Sequence, residues 1–209
     1  MNNILLYGGV ILTVFSYLWF IVLYFIGRSH KTKDNSLELI LKREGSSSIN
    51  VIKSPNSIFS KYNISRSMIK LSDKSYDKSD LFSVAVSYIL SGYGVLKDKF
   101  FIISKVFREV KIISFLPIIS IGIAFICNSR VDSMIGLVGL IVILIYLYII
   151  DDINNNLIDD SKIDKNVVLF TKKIIIINRL FFISTLIFCI KMLISILMWG
   201  LIMCRSLGL

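Results

Sequence analysis

Few side chains in this sequence have the type and spacing for chemistry. His30 is the only histidine. A helical zinc site needs two imidazoles four residues apart on one face, and a single histidine cannot supply them. The three cysteines, at 127, 189 and 204, form no C-x-x-C pair, which excludes a zinc ribbon or a thioredoxin-type redox motif. All three lie in or beside apolar runs, where cysteine acts as a small buried hydrophobe. Asp151 and Asp152 are adjacent carboxylates in a polar stretch and read as solvated loop residues. Lys191 stands within the last apolar run. A charge at membrane depth costs several kcal/mol unless it snorkels or faces water. Two roles fit it: a polar cavity with Asp151 or Asp152 as partner, or a lysine that snorkels or meets a partner subunit.

The elements that must position these residues follow from composition. The chain has 209 residues and is 55% hydrophobic, above the ~45–50% usual for soluble domains. Several apolar runs approach or exceed the ~17–25 residues that cross a hydrocarbon core. An integral membrane protein is expected, with room for one small soluble domain. Net charge is +10, and residues 28–111 carry sixteen of the 24 Lys and Arg but eight of the 14 Asp and Glu. Basic residues beside a membrane anchor indicate cytoplasmic placement against anionic lipid, not nucleic-acid binding.

Ile4 to Gly27 is the first apolar segment, about 36 Å long as a helix. Tyr17, Trp19 and Tyr24 suit the membrane interface. No basic residue precedes the segment and no small-residue cleavage site follows it, so 1–27 is expected to be a retained anchor. Arg28, Lys31 and Lys33 follow at once, which puts the N-terminus outside. A helix capped by Asn35 or Ser36 runs through Arg43. Short strands are expected around Ile49–Ile52 and over Ile64–Leu71, forming a hairpin-like element. The next helix, about Asp80 to Leu96, is capped by Ser79 or Asp77, with Leu81, Val84, Ala85, Tyr88, Gly92 and Val95 as an amphipathic stripe. Phe100–Val110 is an interfacial helix or a plain connector. Region 112–209 holds three further spans, about Ile112–Cys127, Met134–Ile150 and Leu180–Met203. Pro117 is expected to kink the first of them. A polar return loop is expected over 151–173. Four spans from an outside start leave the C-terminus outside.

Within Tyr62–Leu96, Arg66 centres a strand, Leu71-Ser72 precede Tyr76, and Ala85, Val86 and Gly92 follow on the helix. This stretch resembles the active-site region of membrane-bound neutral zinc metallopeptidases of the YugP type. The resemblance covers about Leu37 to Leu96, and beyond that the pattern of spans. It implies a zincin-like α+β insertion and a His-Glu-x-Gly-His pentad on the helix. Here the pentad reads Ile89-Leu90-Ser91-Gly92-Tyr93. Isoleucine and leucine offer neither lone pair nor proton, and a phenol of pKa ~10 is a poor zinc ligand. The resemblance also implies a third, acidic ligand after the third span, in a Glu-aromatic-Asn context. Asp152-Ile153-Asn154 corresponds to it, making Asp152 the one candidate survivor of the ligand set. If the site has become core, Tyr93 is expected to place its hydroxyl toward a polar neighbour such as Asp152. The family's Asp-His-Tyr step before the strand has become Ser60-Lys61-Tyr62.

The resulting expectation is a mainly α membrane protein of the plasma membrane. It has four transmembrane helices and a small cytoplasmic zincin-like region, 28–111, after the first span. It would be a catalytically inactive relative of a zinc peptidase, with no cofactor, that binds or modulates a membrane partner or client. One alternative is an active metallopeptidase with zinc held by Tyr93, Asp151, Asp152 and His30. Another is a small transporter or channel-associated subunit, motivated by Lys191.

Overall fold

The computed structural model of the chain describes residues 2–44, 50–55, 60–95, 109–111, 115–127, 130–156 and 163–206. Six helices and four strands lie among the described residues. They are α1 Asn2–Ser29, α2 Ser36–Glu44, β1 Asn50–Ser54, β2 Lys61–Asn63, β3 Met68–Ser72, α3 Leu81–Val95, β4 Glu109–Lys111, α4 Leu116–Ile126, α5 Arg130–Asn156 and α6 Lys165–Ser206. Three of the helices, α1, α5 and α6, are long and apolar enough to cross a membrane. The chain divides into two compact units. The first is Met1–Leu18, Phe115–Tyr148 and Asn178–Leu209; the second is Trp19–Ser114 and Ile149–Ile177.

The first unit is a helical bundle. Leu6, Ala124, Leu140, Phe188 and Met192 form its core. A Cβ on Gly9 would meet the Phe188 ring at 2.5 Å, and one on Gly136 would meet Cys127 Sγ at 2.8 Å. Glycine at these points lets the helices approach closely, as small residues do in apolar bundles. Tyr17 packs on Phe181 with ring centroids 4.7 Å apart, and Tyr148 approaches Phe182 at 6.3 Å. Gly9 meets Phe188 while Tyr17 meets Phe181, so α1 runs antiparallel to α6. Leu140 shares the core with Phe188 and Met192 while Tyr148 meets Phe182, so α5 is antiparallel to α6 as well. Two hydroxyls of α1 bond to their own helix. Thr13 donates to the Gly9 carbonyl at 2.9 Å and Ser16 to that of Leu12 at 2.7 Å, which satisfies them without a partner helix.

Three expectations change in this unit. Pro117 does not kink a span; it stands in the first turn of α4, where its fixed φ suits helix entry and its missing N–H costs nothing. The helix is then 11 residues long, about 16 Å, roughly half a hydrocarbon core. Residues 112–114 of the expected run lie outside the described residues. Lys191 is buried, and its Nζ donates to the Ala124 carbonyl at 2.9 Å, not to a carboxylate of Asp151 or Asp152. Ala124 is in the last turn of α4, where carbonyls lack an intrahelical donor and the helix dipole is negative. The cation therefore closes a helix C-terminus.

The second unit contains a four-stranded sheet of order β1-β3-β2-β4. β1 pairs parallel to β3, while β2 is antiparallel to both β3 and β4. Tyr62 faces Ile69 on one side and Val110 on the other, and this cross-strand row is fully buried. The hairpin expected between Ile49–Ile52 and Ile64–Leu71 does not form: those two strands, β1 and β3, run parallel, and the antiparallel hairpin partner of β3 is β2. Residues 64–67 of the expected strand, with Arg66 that was expected to centre it, form the turn between β2 and β3. Asn63 Oδ1 accepts from the Arg66 N–H at 3.0 Å and the Ser65 hydroxyl at 2.9 Å, and Ser67 has φ 45°. An Asx turn of this kind overrides strand propensity. β4 occupies the end of the segment expected to be an interfacial helix or connector; residues 100–108 lie outside the described residues. Lys61 and Lys70 stand opposite each other on β2 and β3. Glu109 lies between them, at 2.6 and 3.9 Å, and relieves that like-charge pairing.

α2 begins with a reciprocal cap. Asn35 Oδ1 accepts from the Glu38 N–H at 2.7 Å, and Glu38 returns a carboxylate oxygen to the Asn35 N–H at 3.4 Å. Ser36 is freed to donate to the Ser75 carbonyl at 2.6 Å and accept from the Lys78 N–H at 3.2 Å. The stretch expected to be a loop over 151–173 is helical at both ends. α5 runs on to Asn156 and α6 starts at Lys165, because Val167, Phe170, Thr171, Ile174, Ile175 and Asn178 continue a buried 3–4 spacing.

Candidate functional site: the buried face of helix α3

α3 is held by its first turn. Asp80 is the cap, in place of the expected Ser79 or Asp77. Its Oδ1 accepts from the Ser83 N–H at 2.9 Å and its Oδ2 from the Ser83 hydroxyl at 2.8 Å. Asp77 has φ 53°, and the Ser79 carbonyl is taken by the N–H and hydroxyl of Thr32. Asp80 wins because it has a second partner. Arg28, at the end of α1, reaches its Oδ2 at 2.8 Å and also donates to the Lys74 carbonyl. The guanidinium lies 5.2 Å from the Tyr24 ring centroid and 5.8 Å from that of Phe82. An anchor of one ion pair, one cap and two ring contacts thus fixes where α3 starts and how it is rotated.

From Phe82 to Gly94 every residue of α3 is buried. The expected amphipathic stripe is therefore a helix enclosed on all sides. Its apolar composition all round is the signature of a core helix, and two of its three serines are bonded, while the buried Ser87 Oγ has no partner among the described residues. Ser91 donates to the Tyr88 carbonyl at 2.9 Å, and Ser83 is engaged by Asp80.

The five residues at the pentad position lie within this enclosed stretch. Ile89, Leu90 and Tyr93 are exposed by 1%, 0% and 0%. Tyr93 donates its phenol proton to Asn154 Oδ1 on α5 at 3.0 Å. Asn154 is itself fully buried, and its Nδ2 has no partner among the described residues. Where the sequence suggests Asp152 as the polar neighbour of Tyr93, the structure supplies Asn154. The reason is helical phase. Ile150, Ile153 and Asn154 share the inward face of α5, while Asp152 lies on the exposed face. Asp151 accepts from Asn155 Nδ2 at 3.2 Å along that outer face.

The other candidate donors are dispersed. His30 is exposed at the end of α1, with Nδ1 2.9 Å from the Ile26 carbonyl and 3.0 Å from the Ser29 hydroxyl. Cys189 is buried and Cys127 half-buried, both as free thiols in the first unit. Among the described residues no three His, Cys, Asp or Glu side chains group closely enough to hold a metal ion. The residues at the pentad do not fit zinc. Two carry no donor atom, and the third spends its phenol proton on an amide. Asn154 and Asp80 are the positions that sequence reasoning missed. A signal existed for Asn154, since it lies four residues after Ile150 on an apolar face.

Comparison of the chain with protein-family models, with curated proteins and with solved structures returns no match.

Proposed function

We propose that this protein is an integral membrane pseudoenzyme. In this reading it is an inactive relative of a neutral zinc metallopeptidase that uses the retained fold to bind or modulate a membrane partner or client. The observation that carries the reading is the burial of Ile89, Leu90 and Tyr93 on one helix, with the Tyr93 hydroxyl closed onto Asn154. Those positions would hold two ligands and a general base in an active relative. Here they hold two aliphatic side chains and a hydrogen-bonded phenol, the composition of a core.

Membrane embedding is supported by the outward faces of the long helices. Ile11, Leu18, Ile135, Val138 and Leu197 are all more than half exposed, and apolar side chains left on the outside of three long helices suit a lipid surround. Chain direction supports four crossings despite the shortness of α4. If α1 enters from outside, antiparallel α6 leaves toward outside, and α5, antiparallel to α6, runs inward. The chain must then be outside at residue 130, although it was inside at β4. α4 would belong to that passage. In this reading the second unit's sheet is cytoplasmic and the membrane is the plasma membrane.

Topology is checked by labelling intact cells with an impermeant maleimide, in a background with Cys127, Cys189 and Cys204 replaced. Asp132→Cys labels rapidly, and Lys74→Cys labels only after permeabilisation. The reverse pattern would invert the assignment. Function is tested by elemental analysis and peptide hydrolysis on the purified chain. Zinc well below one per chain is expected, with no hydrolysis. One zinc per chain, lost on Asp152→Ala together with activity, would overturn the pseudoenzyme reading in favour of an enzyme with unconventional ligands.

A further inference from the structure

A cavity of about 380 Å³ opens in the second unit where α1 leaves its apolar run. The end of α1, the start of α3 and the first turns of α6 meet around it. Ile26, Leu81 and Phe170 form an apolar wall, and His30, Lys31 and Lys173 a basic rim. The volume lies within the ~300–1,000 Å³ usual for clefts that hold a small ligand.

We infer that this cavity binds the phosphate headgroup of an anionic phospholipid, with the apolar wall against the first carbons of its acyl chains. The lining is two-sided, as an amphiphile requires: cations for the phosphodiester and hydrocarbon for what is attached to it. A free anion would gain nothing from Ile26, Leu81 and Phe170. The position also fits. His30 and Lys31 come three and four residues after the apolar run that ends at Gly27, the level at which a crossing helix meets headgroups. The rim's charge is available. Neither Lys31 nor Lys173 has a carboxylate partner among the described residues. The one acid in the lining, Asp164, accepts from the Asn166 N–H at 2.9 Å and so serves as the cap of α6. His30 Nδ1 is occupied by the Ile26 carbonyl, leaving Nε2 as the ring's remaining polar atom. The same chemistry would also admit inorganic phosphate, and the test separates the two sources.

The inference rests on the membrane-embedded part of the proposed function and is independent of the pseudo-site. The full chain is reconstituted into vesicles of phosphatidylcholine containing a minor fraction of phosphatidylglycerol, and incorporation is checked by flotation. The chain is then extracted in mild detergent, and co-purified lipid is quantified by mass spectrometry. Phosphatidylglycerol is expected to be enriched over its bulk fraction. The double variant Lys31→Gln/Lys173→Gln should reduce that enrichment about tenfold or more, as expected for removing two lysines beside an anionic headgroup. Ile26→Trp, which narrows the cavity and keeps every charge, should reduce it too. The charge-matched control Lys74→Gln/Lys78→Gln should not. Equal enrichment in the wild type and the double variant, or no enrichment in a chain that floats with the vesicles, overturns the lipid site. Displacement of the lipid by inorganic phosphate, with equal phosphate binding in pure phosphatidylcholine, would make it a free-anion site and overturn the lipid assignment. A chain that fails to float sinks the membrane reading itself, and the lipid site with it.

Discussion

Ile89→Ala lowers the stability of the second unit by about 2–5 kcal/mol, the range for truncating a fully buried aliphatic side chain. The side chain is 1% exposed, and its helix is enclosed from Phe82 to Gly94, so little relaxation can fill the void. Building a zincin pentad into the helix costs more. In the variant Ile89→His/Leu90→Glu/Tyr93→His, the new carboxylate replaces a side chain with no exposure, and an unpaired buried charge costs several kcal/mol. Tyr93→His also removes the hydrogen bond to Asn154, leaving a fully buried amide to find partners at about 1–3 kcal/mol. Against a total stability of about 5–15 kcal/mol, the triple variant is expected to be unfolded in its second unit. Limited proteolysis and thermal unfolding in detergent would read this. Adding Asn154→Asp supplies a carboxylate facing the new imidazoles, and zinc should then recover part of the lost melting temperature. A silent Ile89→Ala, or a triple variant as stable as the parent without metal, would mean that this face of α3 is not core, and the pseudo-site argument would fall.

Asp80→Ala costs about 2–4 kcal/mol. About 1 kcal/mol is the lost helix cap. The rest comes from leaving Arg28 without its carboxylate where the pair is only 22% and 12% exposed, a cost of about 1–3 kcal/mol for a partly buried charged group. Asp80→Asn separates the two terms. The amide oxygen still accepts from the Ser83 N–H, while the charge partner of Arg28 is gone, so the loss should be intermediate. Equilibrium unfolding of the parent and the two variants at low and high salt measures both parts. If Asp80→Asn proves as destabilising as Asp80→Ala, the cap contributes nothing and α3 is fixed by the ion pair alone.

The three long helices were legible because their signal is local. An apolar run of about 18 residues or more is too long for a strand and reads as a helix without knowledge of its neighbours, so α1, α5 and the outer part of α6 appear where the sequence puts them. α3 runs from Leu81 to Val95 against an expected Asp80 to Leu96, since its composition allows nothing else between Asp80 and the charged Lys97. β2 and β4 were not legible. Each is three residues long, too short for any period, and exists because Tyr62 pairs with Val110 from 48 positions further on. The length of α6 was misjudged at Lys172-Lys173, where charge suggested a loop. Those lysines lie on its exposed face, and the helix continues beneath them.

By itself the sequence determined that Ile89 and Leu90 offer no donor atom, because side-chain type alone fixes donor capacity. It also determined that the chain is built around helices long and apolar enough to cross a membrane. Tertiary structure alone decided which partners the remaining polar groups took. Asp80 rather than Ser79 or Asp77 caps α3 because Arg28 arrives from 52 residues away. Lys191 closes the end of α4 because Ala124, 67 residues distant, presents an unpaired carbonyl to it. Asn154 rather than Asp152 meets Tyr93 because packing fixed the rotation of α5, a quantity that depends on every helix around it and on none of those residues alone.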